Sequence, residues 1–174
     1  IMGYGLSLAS SSGMRHALPH KAISIMGDGG FWHNGLTSGV TSAVFNGHDG
    51  LLIIIDNGYS AATGGQDIPS LAKPNLIAST IDARRPQREQ WQSIEDACRG
   101  AGVAWLRTVS TYNIEAMKGT LREALTTEAP GLKVVIAEGE CMLNRQRRVK
   151  PLLKKAIDTG QRIDRARFYI DAET

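Results

Sequence analysis

Cysteine is scarce in this chain, and its scarcity excludes two kinds of protein. Only Cys98 and Cys141 occur among the 174 residues. Two thiols are too few for the disulfide framework of a small secreted domain, and we expect the protein to be cytoplasmic. They are also too few to hold an iron–sulfur cluster, so any such cluster is expected only outside this segment.

Long apolar runs and an export signal are missing as well. No apolar run approaches the roughly 20 residues that cross a membrane, so no membrane role is expected. The composition, 42% apolar and 21% charged, is ordinary for a globular domain. Because residue 1 is Ile, we expect the sequence to be a piece of a longer protein.

Positive charge is concentrated at one end of the chain. Nine Lys and Arg residues lie between Asn144 and Ile170, opposed there only by Asp158 and Asp164, and the residues before 144 carry a net negative charge. We therefore expect a first domain over residues 1–139 and a basic C-terminal extension or linker over residues 140–174. A nucleic-acid surface is not favoured, because aromatic residues are not interleaved with the charges. A solvated helix or a docking face fits the pattern better.

Strand and helix patterns alternate along the first domain. Apolar stretches typical of buried strands cover residues 22–26, 51–55, 103–109 and 132–137. Helical patterns cover residues 2–14, 33–46 and 90–101, and another helix begins after an Asn113 cap. This alternation predicts an α/β fold, with a parallel sheet and helices on both faces.

The stretch from Gly27 to Gln66 carries the most informative polar residues. Asp28 follows the first predicted strand, and Asn57 follows the second. Ligands of parallel sheets bind at the carboxyl ends of the strands, where both residues would lie. Carboxylate and amide oxygens are suitable Mg²⁺ ligands. The stretch therefore predicts a site for a magnesium diphosphate.

Glycines supply the other half of this prediction. Gly27 forms the turn after the strand, while Gly29 and Gly30 open the next helix. The N–H groups at a helix start bind phosphate, and the absence of side chains lets the diphosphate approach the backbone.

These residues resemble the motif of thiamine-diphosphate enzymes, which is Gly-Asp-Gly followed after about 25 to 30 residues by Asn at the end of an apolar strand. The resemblance implies that Asp28 and Asn57 are side-chain ligands of Mg²⁺. It also implies that Tyr59 offers its backbone carbonyl to the same ion.

A narrower resemblance is to 2-oxoacid:ferredoxin oxidoreductases, above all their indolepyruvate branch. The second turn, from Asp56 through Thr63 to Gln66, is similar to theirs, and Phe31-Trp32-His33 resembles the aromatic-aromatic-His that follows their first turn. Ile1-Met2-Gly3 resembles the helix start that faces the diphosphate. This implies cofactor contacts at Met2, Gly3 and Thr63.

Weaker matches extend the resemblance to the end of the chain. Glu140-Cys141-Met142-Leu143 resembles the segment after the last strand of these enzymes. The basic residues from Arg145 to Arg148 and a strand at Arg167-Phe168-Tyr169 resemble a link toward a ferredoxin-like domain.

The resemblance implies an activity and a set of partners. The activity is oxidative decarboxylation of 2-oxo acids, here indolepyruvate-like aryl pyruvates, with ferredoxin as electron acceptor and coenzyme A as acyl acceptor. His33 is the implied catalytic residue, steadying substrate or moving protons. The cofactor would be shared with a pyrimidine-binding domain or subunit that this sequence lacks. We therefore expect the chain to be inactive alone and to function in a dimer.

Two other functions remain open from the sequence. One is a subunit of a non-oxidative thiamine-diphosphate-dependent 2-oxo-acid decarboxylase, which needs no clusters. The other is a non-catalytic α/β interaction module that uses the basic extension.

Overall fold

The computed structural model describes residues 5–14, 17, 19–60, 62, 65–66, 68–70 and 92–162. The predicted contacts at Met2, Gly3 and Thr63 and the predicted strand at 167–169 lie outside these residues. The chain divides into two compact units, Ile1–Cys141 and Met142–Thr174.

The first unit is built on a four-stranded parallel sheet of order β1-β2-β4-β3. The strands are β1 Ile23–Gly27, β2 Leu51–Asp56, β3 Trp105–Ser110 and β4 Lys133–Glu138. All four were predicted, and each ends one residue later than the sequence pattern indicated. At the carboxyl edge, Asp56 lies in register with Glu138, and Glu138 with Ser110.

One face of the sheet is covered by helices from the first half of the chain and by α4. These helices are α1 Ser7–Met14, α2 Asp28–Gly30, a π-helix Phe31–Thr41, α3 Ser42–Phe45 and α4 Ile94–Gly100. Their core with the sheet includes Leu8, Met26, Phe31, Val40, Leu52, Ile54, Ile94, Cys98, Leu106, Val134 and Ile136. Helix α4 begins later than predicted because Ser93 is extended and caps it, accepting the Asp96 N–H at 3.1 Å.

The other face is covered by α5, Ile114–Thr126. The predicted cap is confirmed, since the Asn113 side chain accepts the Ala116 N–H at 3.0 Å. The core on this face holds Leu51, Trp105, Val109, Ala124 and Val135. Helices on both faces confirm the predicted fold class.

The helix after β1 is wound differently from the prediction. It runs without a break over residues 28–45, and 11 of these residues, Phe31–Thr41, have π-helical hydrogen bonds. The wider π-turn lengthens the repeat, so Phe31, Gly35 and Gly39 are buried at intervals of four. Phe45 continues the apolar repeat of the helix predicted over residues 33–46, yet it is 87% exposed, because the π-turns displace that repeat from the buried face.

Gly5, just before α1, and Gly13 within it differ in how closely the rest of the chain approaches them. At Gly5, φ is +75°, and a Cβ there would lie 2.5 Å from the Gly30 carbonyl oxygen. At Gly13, none of the described residues brings an atom within 4 Å of where a Cβ would be. Ser24 and Ser11 add a buried hydroxyl–hydroxyl hydrogen bond of 2.6 Å between β1 and α1.

The second unit contains α6, Met142–Asp158, a helix with Pro151 in its interior. Six Lys and Arg residues lie along it, and none of its residues is buried. Across the described parts of the chain, no helix combines the length and the apolar character that a bilayer span requires.

Candidate functional site

The two predicted oxygen ligands lie at the carboxyl ends of adjacent strands. Asp28 follows β1 directly, and Asn57 follows β2. Because β1 and β2 are parallel and paired from Ile23 with Leu51 to Gly27 with Ile55, their carboxyl ends meet at one edge. The fold therefore brings the two predicted turns together.

The Asp28 carboxylate joins these turns by three hydrogen bonds. Its Oδ1 accepts the N–H of Gly29 at 2.6 Å. Its Oδ2 accepts the N–H of Asn57 at 2.9 Å and that of Tyr59 at 3.3 Å. One side chain thus orders both the helix start and the second turn. The Gly29 N–H, predicted as a phosphate donor, is directed at Asp28 in this arrangement.

Asp28 is buried, with 2% of its surface exposed. Burial raises the pKa of this carboxyl above 3.8, and the neighbouring Asp56 charge adds to the rise, while the three backbone N–H donors oppose it. Among the described residues, no Lys, Arg or His lies within ion-pair distance of Asp28. A buried carboxylate with donors but no counter-charge is suited to receive a cation.

Two side chains of the second turn, those of Asp56 and Asn57, accept backbone N–H groups within it. Asp56 Oδ1 accepts the Gly58 N–H at 3.2 Å, and Asn57 Oδ1 accepts the Tyr59 N–H at 3.1 Å. Gly58 has φ +70°, which favours glycine. Asp56 has no predicted role, although consecutive Asp and Asn in a turn commonly bond to backbone N–H groups two residues on.

The residues after this turn are held by two further contacts. Ser60 and Gln66 exchange backbone hydrogen bonds of 3.0 and 3.1 Å, which closes the intervening loop at its base. The Trp32 indole N–H donates to the Ser70 hydroxyl at 2.9 Å, and this links the π-helix to the same loop region. Tyr59 is buried at 4% exposure.

His33 lies on the π-helix with its side chain exposed. It is five residues beyond Asp28, on the helical segment that starts at the site.

A polar cavity of 220 Å³ opens at the same sheet edge, on the side of α4. Its lining includes three carboxylates, those of Asp56, Glu95 and Glu138. Three negative charges repel a diphosphate, so the cavity is a poor place for that group. The glycine side of Asp28 is better suited, since a Cβ at Gly27 would meet no atom within 4 Å among the described residues beyond its chain neighbours.

The residues at this edge fit a magnesium diphosphate. Asp28 and Asn57 offer hard oxygen donors that retain lone pairs beyond their present hydrogen bonds. The helical segment begins at Asp28, so its positive end lies at the site. The fold and site thus define a diphosphate-binding α/β domain.

Comparison with known proteins names the class. The family of thiamine pyrophosphate enzymes, C-terminal TPP-binding domain, matches residues 1–137. The chain therefore belongs to this family.

A curated relative shows which branch of the family this chain resembles. The indolepyruvate oxidoreductase subunit IorA of Archaeoglobus fulgidus is 35% identical over 139 residues, which are 80% of this chain and 20% of that protein. This confirms the predicted resemblance to the indolepyruvate branch. The chain spans about a fifth of the length of this relative.

The solved structures support the fold. A 2-oxoglutarate:ferredoxin oxidoreductase from Magnetococcus marinus has a TM-score of 0.65 at 18% identity, over 80% of this chain and 46% of that one. A thiamine diphosphate-dependent 4-hydroxybenzoylformate decarboxylase from Rhodococcus jostii has a TM-score of 0.50 at 18% identity, over 78% of this chain and 23% of that one.

Proposed function

We propose that this chain is the magnesium and thiamine-diphosphate domain of an enzyme that oxidatively decarboxylates 2-oxo acids. Its substrates are indolepyruvate-like aryl pyruvates, ferredoxin accepts the electrons, and coenzyme A accepts the acyl group. The similarity to an indolepyruvate oxidoreductase subunit supports this assignment. The observation that carries the site is the buried Asp28 carboxylate, which bonds to both turns without a cationic partner among the described residues.

Each residue of the site has a distinct task in this proposal. Asp28 and Asn57 hold Mg²⁺ by side-chain oxygens, and Tyr59 holds it by its carbonyl. Gly27, Gly29 and Gly30 give the diphosphate access to the backbone. Met2, Gly3 and Thr63 remain predicted contacts outside the described residues.

The chain's own contribution to the chemistry is placement. When bound, thiamine diphosphate supplies an electron sink for loss of CO₂ from the 2-oxo acid. The rigid sheet edge fixes the diphosphate end, and fixed placement of a reactive group lowers the entropic part of the barrier. His33, exposed on the helical segment that begins at Asp28, steadies the substrate or moves a proton. A pyrimidine-binding domain or subunit completes the site across a dimer.

The alternative is a non-oxidative decarboxylase, a class that also occurs among the structural neighbours. The two functions differ in product, because oxidation yields an acyl thioester and reduced carrier while the alternative yields an aldehyde.

The test uses the natural full-length protein with any subunit that co-purifies. We expect calorimetry to show binding of thiamine diphosphate with Mg²⁺ by the wild type. Asp28→Ala should abolish this binding. The control variant Asp96→Ala, which changes an exposed carboxylate on α4, should retain it. An unchanged affinity of Asp28→Ala for thiamine diphosphate with Mg²⁺ would refute the assignment of Asp28 as a metal ligand. Product analysis with indolepyruvate, coenzyme A and ferredoxin then separates acyl thioester from aldehyde.

A further inference from the structure

Asp56 contacts the second turn through its carboxylate, and the predicted ligand set gives it no role. Its Oδ1 accepts the Gly58 N–H at 3.2 Å. The N–H groups on either side of Gly58, those of Asn57 and Tyr59, are held by Asp28. Three consecutive backbone donors are therefore directed at side-chain oxygens, and only the middle one depends on Asp56.

The position of Gly58 makes this contact important for the turn. Gly58 has φ +70°, so the backbone between Asn57 and Tyr59 passes through the left-handed conformation that favours glycine. Holding its N–H fixes the orientation of the peptide units that carry the two neighbouring residues. We propose that Asp56 is a positioning residue for the cofactor cation, because it sets the turn that presents Asn57 and Tyr59. This inference rests on the proposed function.

The Asp56 side chain is not required to close the sheet. The link from β2 to the end of β4 is the Asp56 carbonyl, which accepts the Gly139 N–H at 3.0 Å. Any residue type at position 56 can make this backbone bond. Side-chain substitutions therefore test the turn without removing the link between the strands.

Three variants of the full-length protein test this role. Asp56→Ala removes the acceptor, while Asp56→Asn keeps an acceptor oxygen and removes the charge. Glu138→Ala is the matched control, since Glu138 carries the same charge, lies in register with Asp56 and is exposed. Calorimetry gives the affinity for thiamine diphosphate with Mg²⁺, and hydrogen exchange reports on residues 57–60, with residues 51–55 as internal reference.

We expect Asp56→Ala to weaken binding about tenfold, the loss of one charged hydrogen bond, and to speed exchange at residues 57–60 alone. Asp56→Asn should remain within about threefold of wild type, and Glu138→Ala should match wild type. The inference is overturned if Asp56→Ala binds normally, if Asp56→Asn is as weak as Asp56→Ala, or if faster exchange spreads over β2. Absence of binding by the wild type would overturn the proposed function itself, and this inference with it.

Discussion

The Oδ2 atom of Asp28 accepts the backbone N–H of Asn57 at 2.9 Å, although 29 positions separate the two residues in sequence. The same oxygen accepts the N–H of Tyr59. Both contacts come at the cost of burying a carboxylate, whose charge is stabilised by N–H donors but by no cation in the described residues. The Asp28 side chain therefore links the two turns, while its burial opposes its ionised form.

The burial of the Asp28 carboxyl predicts that the stability of the fold depends on pH. The pKa of Asp28 is raised above 3.8 by burial, so the folded state holds its proton more tightly than the unfolded state. The stability it contributes is fully present below pH 3.8 and is lost as pH rises through the raised pKa. We compare the melting temperatures of the wild type and Asp28→Asn, both without cofactor. The wild-type value minus the variant value should fall as pH rises from 3.8 through the raised pKa of Asp28. A constant or rising difference would contradict the assignment.

Much of the fold could be deduced from the sequence, because its strands are strongly apolar. Leu51 to Ile55 has no alternation, as a strand covered on both faces requires, and the structure places it between β1 and β4. The meeting of Asp28 and Asn57 followed from the rule that parallel strands share a carboxyl edge.

Other features depended on contacts that a one-dimensional pattern does not contain. The π-winding after Asp28 shifted the buried face, and Phe45 became exposed. The role proposed for Asp56 rests on its contact with the Gly58 N–H, which the three-dimensional structure supplies. Predictions based on a helical repeat or on spacing alone do not contain this information.

Alanine substitutions at Gly5 and Gly13 should change the stability of the protein in opposite directions, because only Gly5 lies against the backbone of Gly30. Gly5→Ala places a Cβ 2.5 Å from the Gly30 carbonyl oxygen and forces Ala into φ +75°. The backbone penalty alone is about 1 to 2 kcal/mol, and displacement of Gly30 should also weaken cofactor binding. The control is Gly13→Ala within α1, where the added Cβ would meet no atom within 4 Å among the described residues. This substitution should stabilise the helix by up to about 1 kcal/mol. Thermal melts that rank the two variants in the reverse order would refute this packing account.

The two thiols should differ in reactivity. Cys98 is fully buried, and desolvation with the nearby Glu95 charge raises its pKa to about 12. Cys141 is half-buried. Because the thiolate is the reactive species, we expect a thiol reagent at neutral pH to modify Cys141 in the folded protein and Cys98 only after unfolding. Mass spectrometry of the labelled protein identifies the site, and labelling of Cys98 at the same rate in native protein would contradict its burial.

The amino edge of the sheet contains an ion pair whose disruption should be costly. Lys133 is fully buried at the start of β4, and its ammonium bonds to Asp49, which also lies 3.7 Å from Lys21. Desolvation raises the pKa of Asp49, but the hydrogen bonds and charges of Lys133 and Lys21 together outweigh it, so the pKa lies below 3.8. Asp49→Ala leaves the lysine buried without this partner and should cost on the order of 3 kcal/mol.

A double-mutant cycle separates the pair from its surroundings. Lys133→Met keeps most of the side-chain volume and removes the charge, so Asp49→Ala should cost much less in that background than in the wild type. Denaturant unfolding of the two single variants and the double variant measures the coupling. If the two single effects simply add, Lys133 does not depend on Asp49, and the cost of Asp49→Ala has to come from its contact with Lys21.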